Sequence, residues 1–193
     1  MNRLLIASTA SQSGKSVLAD ALAAYWQTHC QSADSSDVAL EQFTPITAEH
    51  GWLDLTRTWQ ALMQLEQRTV LIKMPGSLGT PMTPETTVAD LAWDWRLPTV
   101  LVVPVTPDPV AQAVAHVALA RQARVHLKGI VVNHTTPKAI EDQAIALIQS
   151  LTQVPVLGQL AHLPDPQDTS ALVAAAAALD LERLFPLTQL VAS

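Results

Sequence analysis

Gly14-Lys15-Ser16 follows the apolar run Leu4-Leu5-Ile6 after one short turn. A lysine there can reach the terminal phosphates of a nucleotide, and a hydroxyl at the start of a helix can ligate Mg2+. The backbone amides of Ser11, Gln12, Ser13 and Gly14 can cradle the anion. The complete phosphate-loop motif, Gly-x-x-x-x-Gly-Lys-[Ser/Thr], also wants glycine five positions before Gly14, where this chain has Thr9. The front of the loop reads Ser8-Thr9-Ala10, and a β-carbon there crowds a cradle that glycine leaves open. The competing reading is a plain strand-to-helix turn with Ser13 or Ser11 as its N-cap. Placement directly after the first strand favours phosphate binding.

Two more residues carry polar chemistry at strand ends. Lys73 closes the run Thr69–Lys73, a position where a phosphate-loop protein often has an acidic residue that supports magnesium. A cation there points to direct contact with an anion, or else to a strand end facing solvent. Asn133 closes the run 129–133 with an amide suited to a nucleobase edge or to capping the turn Asn-His-Thr-Thr-Pro. The six histidines share no metal-ligand spacing, and a lone cysteine adds no second soft ligand. Neither a G-x-S-x-G elbow nor an H-E-x-x-H helix is present.

These residues need a scaffold, and the chain supplies an alternating one. Apolar runs at 3–8, 69–73, 99–105, 129–133 and 155–160 interleave with helix-like stretches at 14–29, 110–125, 137–151 and 169–184. The strands are continuous Val/Leu/Ile without polar alternation, so both faces of their sheet are covered. The pattern predicts an α/β, doubly wound, mainly parallel sheet with helices on both faces, as one domain over residues 1–193. Two stretches break the rhythm: the polar loop 31–37, with at best a short strand in "VALEQF" after it, and the Pro- and Gly-rich segment Met74–Thr87. A loop after the carboxyl end of a strand is where an open α/β sheet binds ligands. Trp93 and Trp95, two apart, cannot share one helix face, so partial exposure of one is expected.

The 193 residues bury about 70% of the unfolded surface if they form one domain. With 49% hydrophobic and 15% charged residues, the composition is that of a folded globular chain. A net charge of -6 and eleven scattered Lys and Arg argue against a nucleic-acid partner. No apolar run approaches the roughly 20 residues of a membrane helix, and the start is too short in apolar residues for a signal peptide. With the single Cys30, these features lead to the expectation of a cytoplasmic protein.

The loop on the first strand, the strand and loop Val70–Met82, and the segments "TTVADLAWDWRLPTVLVVPV" and "AQAVAHVALARQARVHLKGIVVN" together resemble the dethiobiotin synthetases. The resemblance covers nearly the whole chain. It implies a P-loop fold, use of ATP and Mg2+, and closure of a cyclic urea from CO2 and diaminopelargonate in biotin biosynthesis, usually by a homodimer. Gly14, Lys15 and Ser16 match the family's phosphate and magnesium loop, and Asn133 matches its base-contacting asparagine. Elsewhere the chain departs from the pattern. The family's Gly-Thr-Asp-Thr is Ser8-Thr9-Ala10-Ser11, and its Glu-Gly-Ala-Gly-Gly strand end is Lys73-Met74-Pro75-Gly76-Ser77. The family's carbamate-polarising lysine has no counterpart between Cys30 and Phe43, where Asp34 and Asp37 sit in the polar loop. Asp108, in Thr106-Pro107-Asp108-Pro109, stands at a helix start where the family receives the substrate carboxylate, and a carboxylate already there opposes a second. Two readings follow: an ATP-dependent cyclo-ligase, or a non-catalytic paralogue that holds a nucleotide or phosphate-like anion between Lys15 and Lys73.

Overall fold

The computed structural model describes residues 2–29, 40–48, 51–65, 69–105, 107–134 and 142–185. Cys30, Asp34, Asp37, His50 and Thr106 lie outside them, as does the expected start of a helix at Pro137. Six strands, β1 (Asn2–Ser8), β2 (Leu40–Phe43), β3 (Thr69–Lys73), β4 (Thr99–Pro104), β5 (Leu127–Asn133) and β6 (Val156–Leu160), form one sheet in the order β2-β3-β1-β4-β5-β6. Every pairing between them is parallel. The α/β doubly wound fold is therefore as the alternation requires.

Alternate residues of each strand enter opposite layers. On one face Leu5, Ala7, Val70 and Ile72 pack with helices α2 (Leu55–Met63) and α3 (Val88–Asp94). Leu101, Val103, Ile130 and Val132 continue that face beneath α4 (Pro109–Gln122) and α5 (Asp142–Thr152). On the other face Leu4, Ile6, Val100, Val102 and Val131 meet Leu18 and Leu22 of α1 (Lys15–His29), Ala175 of α6 (Thr169–Ala177) and Leu184 of α7 (Leu181–Leu184). All six residues of β4 are buried, which accounts for its unbroken apolar composition.

Three local outcomes go beyond the sequence pattern. Helices α2 and α3 form in stretches to which the alternating pattern assigned no element, each started by a side-chain cap. Asp54 accepts from the Arg57 amide, and Thr87 and Asp90 make a reciprocal capping box. The single helix expected over 169–184 is two, because the Asp180 amide donates to the Leu157 carbonyl at 2.7 Å and its side chain then caps α7. The "VALEQF" stretch provides β2, the edge strand of the sheet, paired with β3 from Leu40↔Thr69 to Phe43↔Ile72. Trp93 is exposed with the Arg124 guanidinium 5.8 Å from its ring centroid, while half-buried Trp95 tilts against Trp59.

The chain runs from β1 toward β2 on one side and crosses over to β4 on the other, so the topological switch lies at β1. The crevice beyond the carboxyl ends of β1, β3 and β4 is where such a sheet binds ligands.

Candidate functional site

The loop from Ser8 to Gly14 leaves β1 into that crevice. Gln12 has φ of 55° and Gly14 has φ of 94°, so the loop turns through left-handed backbone twice within three residues. Interrupting right-handed backbone with left-handed residues forms the concavities in which amides hold anions. Gly14 is required on two counts. Its φ strains any L side chain, and a β-carbon there would stand 1.9 Å from Asn133 Nδ2.

Asn133, at the end of β5, is buried and donates through Nδ2 to the Ser13 carbonyl at 2.9 Å. The side chain expected to meet a base edge thus braces the loop from beneath. Ser13 Oγ is itself buried without a hydrogen-bond partner, so this serine does not cap α1. Ser11, Gln12 and Ser16 are exposed on the loop and the first turn. Ahead of them Thr9 Oγ1 donates to Gln112 Oε1 of α4 at 2.7 Å, and its amide donates to the Val102 carbonyl. The threonine that replaces the motif's first glycine is anchored to neighbouring elements.

Lys15 Nζ donates to the Gly76 carbonyl at 2.6 Å and to Ser8 Oγ at 2.9 Å. Ser8 Oγ also lies 2.8 Å from the Ala10 carbonyl, and the Leu78 amide donates to the Ser8 carbonyl. The phosphate loop and the segment after β3 are therefore stitched together around one ammonium. Partial burial with no ion pair lowers the pKa of Lys15 below its ordinary 10.5, since desolvation disfavours the charged form.

Lys73 Nζ donates to Gln42 Oε1 of β2 at 2.8 Å, and Gln42 Nε2 donates to Asp20 Oδ1 of α1 at 2.8 Å. A neutral amide thus stands between this ammonium and the carboxylate. Lys15, Ser16 and Lys73 all line one cavity of about 390 Å3. The rest of the lining is mostly apolar, with Pro45, Leu53, Met74, Pro75, Pro81 and Met82 beside Thr44, Thr47 and Gly51. Backbone bonds set part of that lining in place: the Leu53 amide donates to the Met82 carbonyl and the Met82 amide to the Thr86 carbonyl.

The site residues that sequence reasoning missed are Ser8, Gly76, Gln42 and Asp20. Their signal is weak, since each matters only through a bond to a residue far away in the chain. Asp108 caps α4, accepting from the Ala111 amide at 3.1 Å, so that helix start already holds an anionic group.

A magnesium ion prefers octahedral oxygen ligands, usually including one or two carboxylates. Among the described residues the cavity lining offers the hydroxyls of Ser16, Thr44 and Thr47 and no carboxylate, and Lys73 occupies the strand end. Among the described residues no group of three or more His, Cys, Asp or Glu side chains comes together. The donor set does not fit a metal ion held by the protein; it fits an anion.

A family model described as an AAA domain matches residues 33–170. In fold the chain is similar to the MinD cell division protein of Aquifex aeolicus, with a TM-score of 0.60 at 10% identity and 98% of each chain covered. It is also similar to MinD of Pyrococcus furiosus, with a TM-score of 0.56 at 12% identity over 95% of this chain and all of that one. In sequence it is 43% identical to the ATP-dependent dethiobiotin synthetase BioD of Gloeothece citriformis, over 97% of this chain and 100% of the relative. It is 40% identical to the protein of the same name in Crocosphaera subtropica, over 96% of this chain and 100% of the relative. The first of these alignments runs over 226 positions, more than the 193 residues here, so that relative carries segments this chain lacks. Identity at this level over the full length of such relatives, on a parallel sheet with its phosphate loop after β1, means that the chain belongs to the dethiobiotin synthetase family.

Proposed function

We propose that the protein is an ATP-dependent ligase of the dethiobiotin synthetase type, closing a cyclic urea from CO2 and diaminopelargonate as a cytoplasmic homodimer. The observation that carries this reading is one cavity lined both by Lys15 and Ser16, at the end of the phosphate-loop motif, and by the apolar Pro45, Leu53, Met74 and Met82. The two halves suit the two substrates. The loop amides and Lys15 hold and orient the phosphates, while Pro45, Leu53, Met74 and Met82 cover a hydrocarbon chain and keep water from the reacting end. Lys15 exchanges the Gly76 carbonyl and Ser8 hydroxyl for phosphate oxygens, which are better acceptors because they are charged. Lys73 adds a second positive charge to the same cavity.

The test is direct. Purified protein supplied with ATP, Mg2+, bicarbonate and diaminopelargonate should release ADP and dethiobiotin in equal amounts, at a rate on the order of 1 per second. Lys15→Ala should lower that rate by a hundredfold or more, about 2.7 kcal/mol of barrier. Absence of dethiobiotin from folded, ATP-binding protein would overturn the ligase reading.

A second reading, a non-catalytic paralogue that holds a nucleotide or other anion, is favoured by one observation. Among the described residues the cavity is lined by two lysines and no carboxylate. Nucleotide binding without turnover, together with failure to rescue a strain lacking its own synthetase, would select it.

A further inference from the structure

We propose that Lys73 and Lys15 form a metal-independent clamp for a polyphosphate anion, with Lys73 supplying the positive charge that a divalent cation otherwise brings to such a site. The inference deepens the ATP-binding reading above and rests on it. Lys73 lies at the carboxyl end of β3, next to β1 in the sheet, so its side chain emerges beside the phosphate loop. Lys73 lines the same cavity as Lys15 and Ser16. The hydrogen-bond partner of Lys73 is the neutral Gln42 amide, which aims the ammonium without neutralising it. Asp20 holds the far side of that amide, fixing its oxygen toward the lysine. Among the described residues Lys15 is likewise bonded to a carbonyl and a hydroxyl and to no carboxylate. Two lysines on one cavity with no carboxylate among its described lining residues repel each other and are relieved by an anion of several charges.

Gln42 is a positioning residue in this scheme. Its amide order, with oxygen toward Lys73 and nitrogen toward Asp20, is the one that satisfies both neighbours. Replacing it by leucine leaves Lys73 unaimed and should weaken the clamp without removing its charge.

Calorimetric titration with ATP and with inorganic tripolyphosphate, each in EDTA and then in excess Mg2+, tests the proposal. Wild-type protein should bind both in EDTA, with added Mg2+ changing the affinity about threefold or less. Tripolyphosphate binding comparable to ATP would assign recognition to the phosphate chain, and much tighter ATP binding would add a contribution from the nucleoside; the clamp stands in either case. Lys73→Gln should weaken binding in EDTA about tenfold, equivalent to about 1.4 kcal/mol, with Lys73→Arg retaining it. Lys128→Gln, at the opposite end of the sheet, should change nothing. Lys73→Glu should abolish binding in EDTA and make what remains depend on Mg2+. A wild-type affinity that rises a hundredfold with Mg2+, or equal binding by Lys73→Gln and wild type in EDTA, would overturn the proposal. Should Lys73→Gln fail to fold by circular dichroism, the wild-type comparison with and without Mg2+ decides alone. Dethiobiotin formation that strictly needs Mg2+ for ATP binding would sink the clamp and leave the ligase; metal-free binding without dethiobiotin would do the reverse.

Discussion

At Lys15 two physical effects oppose each other: burial discourages the charge, and the Gly76 carbonyl and Ser8 hydroxyl make it tolerable. Because its folded pKa lies below the unfolded 10.5, the unfolded chain holds this proton more tightly between those two values. Stability from this group therefore rises with pH through that window and levels off above 10.5. Urea midpoints measured from near pH 8 to near pH 10.5 should climb more in wild type than in Lys15→Met, where the proton is gone. Binding an anion restores the charge, so phosphate affinity should fall as pH rises through the same window. Gly14 is the other residue that tolerates no substitute. Gly14→Ala meets both the left-handed backbone and Asn133, and should cost about 1–3 kcal/mol by urea denaturation. It should also abolish nucleotide binding, since the loop must move off its brace.

Among the elements, α3 anchors the loop that brings Pro81 and Met82 to the cavity. Its capping box ties Thr87 to Asp90, and the Val88 and Ala89 amides donate to the Thr80 and Leu78 carbonyls of the preceding loop. Thr87→Ala should cost about 1 kcal/mol and, in the proposed ligase, raise the KM for diaminopelargonate more than that for ATP. The Thr87 side chain, then its backbone amide, lowers the pKa of Asp90. That contribution is present above 3.8 and is lost as pH falls through the lowered value, and it is small because the carboxylate is largely solvated. Urea midpoints in wild type should therefore drop more steeply below about pH 4 than in Thr87→Ala.

For the whole molecule, the cavity joins the start of α1 to the segments that follow β2 and β3, so filling it links segments distant in the chain. A ligand that binds only the folded state stabilises it by mass action. ATP at about 100 times its dissociation constant adds about 2.7 kcal/mol, or roughly 5–10 °C in Tm for a chain of this size. Thermal melts should show that shift in wild type and lose it in Lys15→Ala; an equal shift in both proteins would place the bound nucleotide elsewhere.

Much of this was legible in the residues themselves. Unbroken Val/Leu/Ile runs spaced by helical stretches leave a parallel, two-sided sheet as the way to bury them, and a Gly-Lys-Ser turn after the first run places the phosphate loop. Short, polar-flanked α2 and α3 were not legible, because their apolar faces and caps gain meaning only against Leu5, Val70 and Ile72. Nor was the support of Lys73, although an anion between Lys15 and Lys73 was already an expectation. Lys73 is one strand-end lysine in the sequence, and Gln42 is one polar residue in a short edge strand. Only the parallel pairing of β2 with β3, and of β3 with β1, sets Lys73 between Gln42 and the Lys15 loop. Local sequence fixes backbone period and turn chemistry, whereas the charge of a site is a sum over side chains brought together by long-range strand order.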